Sequence, residues 1–184
     1  ADAAAAMIAD AIDHPLDIPS KERPPYAGLR RAPLLGAQVE IAVAAGDVAT
    51  ARRAADELSE TAKTYSSAAL GAAASLAQGR AALAEGDATR SVGHCERAAA
   101  AWIEIGAPYE AAEARMVLGE ARRATGNTQG AELEWQAARQ SFEEFGAVLR
   151  AQEAERALHD RPARPPTAGR VGAACVFRCD GDTR

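Results

Sequence analysis

His94 and Cys95 stand side by side in the chain, and an imidazole next to a thiol is the beginning of a metal site. A structural metal needs three or four converging ligands. The other histidines, His14 and His159, lie far away in sequence, so the pair has no completing set. Cys95 also falls on a repeated apolar helix face, where a free cysteine serves as a small buried hydrophobe. Cys175 and Cys179 fall in a strand-like stretch, where four residues would separate their Cα atoms by about 13 Å, beyond disulfide reach. Three cysteines without a framework spacing fit a reducing compartment, and the chain is expected to be cytoplasmic.

Other chemistry-bearing residues lead no further. Glu143 and Glu144 are adjacent and project in different directions from a helix, so they form no catalytic dyad. No phosphate-binding loop with its lysine and no Ser, His and Asp constellation occurs. Trp102 and Trp135 could clamp a small molecule between repeats, which makes effector sensing an alternative function; core packing is the simpler role for both. No catalytic residue, metal or cofactor is assigned, and an enzyme is the least expected of the three classes.

The elements that must position these residues announce themselves by repetition. Gly46-Asp47 returns as Gly86-Asp87 and again as Gly126-Asn127, forty positions apart each time. Glycine supplies the left-handed residue that ends a helix, and the Asp or Asn after it caps the next. Helices are expected to end near Ala45, Glu85 and Thr125, and their partners to begin near Val48, Ala88 and Thr128. Within the second helices the forty-residue offset aligns Ala51, Ala55, Leu58, Ala62 and Tyr65 with Ser91, Cys95, Ala98, Trp102 and Ile105. It aligns both sets with Ala131, Trp135, Ala138, Phe142 and Phe145. Steps of four, three, four and three keep each set on one helical face. Gly106 and Gly146 stop two of these helices, with Ser66 as the first repeat's counterpart. A unit that cannot bury its own apolar face must stack on neighbours, so the pattern predicts an all-α array of antiparallel helical hairpins.

Around the array, a first helix is predicted over Ala1 to about Ile12, and a proline-rich loop from Pro15 to Pro25. The next helix is expected to have its regular part start near Pro33, since proline suits a first turn and breaks an interior. A capping helix is predicted at Ala147–His159. The chain divides into a helical domain over 1–160, a Pro/Arg linker over 161–170, and a β-prone stub at 171–184 that opens an incomplete second domain.

Composition agrees. The 184 residues are 48% hydrophobic but only 4% aromatic, so the core must be built mainly from Ala, Leu and Val. The net charge of −5 shows no basic stripe across the helical part, which argues against nucleic-acid contact. No apolar run approaches the ~18 residues of a membrane span, and Ala1 to Ile12 lacks the basic start of a signal peptide.

The third repeat carries a resemblance. Leu118-Gly119, Gly126-Asn127, Ala131, Trp135 and Ala138 have the spacing of a tetratricopeptide repeat, and Gly79, Gly86-Asp87, Ser91 and Ala98 follow it in the second. The long Ala-rich units, including Trp102 to Glu110 and Ala111 to Arg115, are similar to the helical-repeat region of LuxR/MalT-like bacterial ATPase-type transcriptional regulators. The resemblance implies a right-handed α-solenoid and a non-catalytic scaffold that binds a protein, a peptide or other domains of the same regulator. It carries over neither an ATP site nor a DNA-binding helix-turn-helix. Counted on the tetratricopeptide pattern, Glu40, Arg80 and Glu120 take equivalent positions in the inner groove, with Met116 and Arg123 close by. Ala37, Ala77 and Val117 occupy a position of the family's carboxylate clamp, so that binding mode is not implied.

Overall fold

The computed structural model describes residues 2–13 and 27–160. The expectations for the loop at 15–25, for 161–184 and for Cys175 and Cys179 lie outside these residues. Among the described residues every regular element is a helix: α1 (Asp2–Asp13), α2 (Ala27–Ala45), α3 (Val48–Tyr65), α4 (Ala68–Ala84), α5 (Ala88–Ile105), α6 (Pro108–Ala124), α7 (Thr128–Glu144) and α8 (Val148–His159).

One boundary corrects the sequence reading. α2 begins at Ala27, and Pro33 lies inside it. The proline forgoes the bond its N–H would give to the preceding turn. Packing offsets that loss, because Ala32 and Leu35 on either side of it are core residues. Arg31 also donates to the Ile12 carbonyl at 3.4 Å and pairs with Glu57 at 2.9 Å, which pins this part of α2 to α1 and α3.

From α2 onward the helices reverse direction every twenty residues. Gly46, Ser66, Gly86, Gly106, Gly126 and Gly146 all have left-handed backbone, with φ between +50° and +86°. At the five glycines the same pair of bonds closes the helix. At Gly46, for example, Gly46 N–H donates to Val43 and Asp47 N–H to Ala42, at 3.0 and 2.9 Å. This is the Schellman closure. The residue that completes it starts the next helix: the Asp47, Asp87 and Asn127 side chains accept from the Thr50, Arg90 and Gly130 amides at 2.9–3.0 Å. Connections this short force sequential helices to pack side by side.

Each helix packs on the next, and α4 also touches both α2 and α6. The even-numbered helices therefore share one side of the array. Small residues make the crossings close. A Cβ on Gly79 would sit 2.4 Å from the Cys95 sulfur, and one on Gly119 would sit 2.3 Å from the Trp135 indole nitrogen. The equivalent pair one repeat earlier is Val39 with Ala55, both fully buried in one cluster. As the odd-helix residue grows from Ala to Cys to Trp, its even-helix partner shrinks from Val to Gly, which keeps the packed volume in bounds.

The predicted apolar faces are buried through their first four positions, except that Trp102 is half-buried. The fifth position emerges: Ile105 is 41% and Phe145 54% exposed. These residues sit at the helix ends, where the neighbouring helix has already turned away.

Candidate functional site

Four of the five residues expected in the inner groove, Glu40, Arg80, Met116 and Glu120, line one cleft of about 920 Å³. All of its lining comes from even-numbered helices. α2 supplies Glu40, Val43 and Ala44, and α4 supplies Arg80, Leu83 and Ala84. α6 supplies Tyr109, Glu113, Met116, Val117 and Glu120, and α8 supplies Arg150, Glu153 and Ala157. A second cavity of about 360 Å³ shares Glu40 and Arg80 and extends along α2 and α4 to Trp102 and Glu110.

Across the floor runs a ladder of alternating charge. Arg80, whose side chain is only 16% exposed, pairs with Glu40 of α2 at 2.5 Å and faces Glu113 of α6 at 3.7 Å. Arg150 grips both oxygens of Glu113, through Nε at 2.6 Å and through Nη2, and its Nη1 reaches Glu153. Such a forked arginine–carboxylate pair is strong and directional. The ladder ties α2, α4, α6 and α8 together.

Glu120 stands apart from it. Its side chain is exposed on the cleft wall, and it has no hydrogen bond or ion pair among the described residues. The protein closing around the concave wall still pushes its carboxyl pKa up, against the opposing pull of Arg123, Arg80 and Arg150. Counting charges, Glu40, Glu113, Glu120 and Glu153 outnumber Arg80 and Arg150 by four to two, so the cleft carries a net charge of −2. An acidic wall around Val43, Leu83, Met116 and Val117 suits a cation borne on an apolar body.

Arg123 departs from expectation. It does not line the cleft: its guanidinium lies over the Trp135 ring, 4.9 Å from the centroid, and Nη1 donates to the Asp160 carbonyl at 3.2 Å. The indole face and the carbonyl draw it toward α7 and the end of α8. Gly119 lies against Trp135, Ala131 is fully buried, and Trp135 donates through Nε1 to the Met116 carbonyl at 3.1 Å. Trp135 thus holds the α6 backbone from behind the cleft. Trp102 belongs to a different core cluster, and its indole N–H is buried without a partner among the described residues.

Tyr109, Glu113, Arg150 and Glu153 were not anticipated. The signal for Glu113 was present: Glu113, Met116 and Glu120 are spaced three and four apart, one stripe of α6. Nothing in the forty-residue offset marks Arg150, because α8 has no equivalent in the aligned helices.

His94 and Cys95 take separate roles. Cys95 is fully buried and pushed up to about 11 by burial, so it stays a thiol; its sulfur lies 3.9 Å from the Ser91 hydroxyl oxygen, whose own hydrogen goes to the Gly79 carbonyl at 2.8 Å. His94 is lowered by burial first and then by Arg97, Arg90 and Arg52, and its Nδ1 accepts from Arg97 at 2.9 Å. Among the described residues no group of three or more His, Cys, Asp or Glu side chains is placed to hold a metal ion. No helix there is long and apolar enough to cross a membrane. Compared with known protein families, curated proteins and solved structures, the chain matches none.

Proposed function

We propose that this chain is a non-catalytic interaction scaffold, a tetratricopeptide-like α-solenoid whose concave cleft seats a cationic, partly apolar segment of a protein partner. The packing of each helix on the next is consistent with a solenoid. One observation carries the binding reading: a single cleft crosses α2, α4, α6 and α8 with a surplus of carboxylates set among the apolar side chains of Val43, Leu83, Met116 and Val117. Helical grooves of this type take an extended or helical peptide by burying its apolar residues and pairing its charges at the rim. The wider role, as the repeat region of a LuxR/MalT-like regulator in the cytoplasm, is supported by the sequence resemblance. In that setting, partner binding would bias how the stack sits against neighbouring modules. A phosphate-binding loop encoded upstream in the same reading frame, or a helix-turn-helix downstream, is what that wider role requires.

The test is binding of labelled peptides to the full chain by fluorescence anisotropy. Peptides alternating Arg or Lys with Leu are expected to bind, and their Glu-for-Arg counterparts are not. Raising salt should weaken the interaction. Joint reversal at Glu40→Lys, Arg80→Glu and Glu120→Lys should abolish it. Equal binding of both peptide classes, or indifference to the reversal, removes the groove from consideration.

Effector sensing has one observation in its favour, the unpartnered Trp102 indole N–H beside the smaller cavity. A saturable change in tryptophan fluorescence across a metabolite panel, lost in Trp102→Phe, would support it over the scaffold reading.

A further inference from the structure

We infer that residues 161–170 of this same chain are an occupant of the cleft, competing there with any partner. The inference rests on reading the cleft as a seat for a cationic segment. The sequence Arg161-Pro162-Ala163-Arg164-Pro165-Pro166-Thr167-Ala168-Gly169-Arg170 carries three arginines and no acid. Its charge is opposite to that of the cleft, whose acids exceed its bases by two.

The place where the segment leaves the array is decisive. It follows α8, which contributes Arg150, Glu153 and Ala157 to the cleft. The carbonyl of Asp160, the last residue before it, accepts from Arg123. Arg123 is one turn beyond Glu120 on α6, so the chain departs near the cleft carboxylate that lacks a partner among the described residues. Ten residues extend to at most about 35 Å. Three helix-to-helix steps of about 10 Å lead from α8 across α6 and α4 to α2. The segment is therefore long enough to bring an arginine to each of Glu153, Glu120 and Glu40.

Its composition fits the surface as well. Helix faces offer an incoming backbone no free carbonyl row, so each amide the segment brings must find another partner. Three of its ten residues are prolines, which bring none. Arginine, with its planar fork, pairs with a carboxylate more directionally than lysine does.

Tethering makes such an occupant effective even when its intrinsic affinity is low. A short linker gives an effective concentration on the order of 1 mM, so an intrinsic Kd of about 100 μM would leave the cleft about nine-tenths filled.

A fluorescein-labelled synthetic decapeptide with the sequence of residues 161–170 tests this on the full chain. It is expected to bind the Arg161→Gln/Arg164→Gln/Arg170→Gln variant about tenfold more tightly than the unaltered chain, since the competitor is removed. Adding Glu120→Gln to that variant should weaken the binding severalfold. Glu120 is exposed and unpartnered, so this change leaves the helices in place, as circular dichroism would verify. Equal binding to the unaltered and triple-Gln chains overturns the internal occupant while leaving the cleft reading intact. Binding to neither chain, or binding indifferent to Glu120→Gln, overturns both.

Discussion

Gly119 lies directly against Trp135: a Cβ at the glycine would come within 2.3 Å of Nε1 and 2.6 Å of Cε2 of the indole. The ring is rigid, buried and held by its bond to Met116. Gly119→Ala should therefore cost about 1–3 kcal/mol by overpacking. At Gly79 the obstructing atom is the Cys95 sulfur, 2.4 Å away. Gly79→Ala should be similarly costly, and adding Cys95→Ala should recover part of the loss, because Val39 with Ala55 shows that the crossing accepts a larger even-helix residue beside alanine. Chemical denaturation of the four chains gives the cycle. Additive losses would mean that the two side chains do not compete for the same space.

Ser66 adopts φ +50°, where five equivalent turns have glycine. A side chain in this region is strained by roughly 1–2 kcal/mol, partly offset by glycine's larger entropy when unfolded. Ser66→Gly should raise stability by about 0.5–1 kcal/mol, and Gly106→Ser should lower it by about the same amount. Thermal melts of both variants measure the difference. A destabilised Ser66→Gly would show that the Ser66 hydroxyl, which reaches the Lys63 carbonyl at 3.4 Å, outweighs the strain.

Arg80 and Arg150 both serve Glu113, whose side chain is only 17% exposed. Losing either arginine leaves the other, so Arg80→Met or Arg150→Met alone should cost about 1 kcal/mol, nearer the surface-pair range than the buried-pair range. The double variant leaves the half-enclosed Glu113 carboxylate without a cation and in one cleft with Glu40, Glu120 and Glu153, and should lose more than the sum of the two. An exactly additive pair of losses in urea titrations would mean the ladder is not a coupled unit.

Two carboxylates pull the acid stability in opposite directions. The folded pKa of Glu120 is raised above its ordinary 4.5, because the protein around the concave wall displaces water from its carboxylate even though the side chain remains exposed. Its contribution is thus full below 4.5 and lost as pH climbs through the raised value. Asp47 is lowered below 3.8 by hydrogen bonds from Thr50, so its contribution is present above 3.8 and lost as pH falls through the lowered value. Glu120→Gln should be the more stable chain at pH 7, with the advantage fading toward pH 4. Asp47→Asn, which copies Asn127, should flatten the decline below pH 4. Melting temperatures from pH 3 to 8 decide both; a constant offset for Glu120→Gln across that range would contradict the assignment.

How much of this was legible depended on whether a feature repeats. The turns at Gly46, Gly86 and Gly126, the stops at Ser66, Gly106 and Gly146, and the buried faces of α3, α5 and α7 recur at fixed offsets, and periodicity reports them directly. The same offset links Glu40, Arg80 and Glu120, and all three line one cleft. The Glu113–Arg150 pair joins residues 37 apart on α6 and α8. It belongs to no offset, and its partners meet only because four helices converge. The early start of α2 was hidden for another reason: the local cost of Pro33 is visible in the sequence, whereas the packing of Ala32 and Leu35 that overrides it is not. Arg123 sat at the correct height on α6 but turned to the indole face, a choice that only the placement of Trp135 and Asp160 decides.

The left-handed turns bear on how the cleft could change width. Each connection from α2 to α8 has only two or three residues, held by backbone bonds that close the preceding helix and, at Asp47, Ser67, Asp87 and Asn127, by a side chain that caps the next, so no link is left over to act as a hinge. An incoming segment would have to be accommodated by helices sliding on their alanine-lined contacts, where side chains are too short to interlock deeply. Such shear spreads a displacement over several interfaces in small steps. The cleft would then widen gradually along its length, and would not open at one end like a jaw.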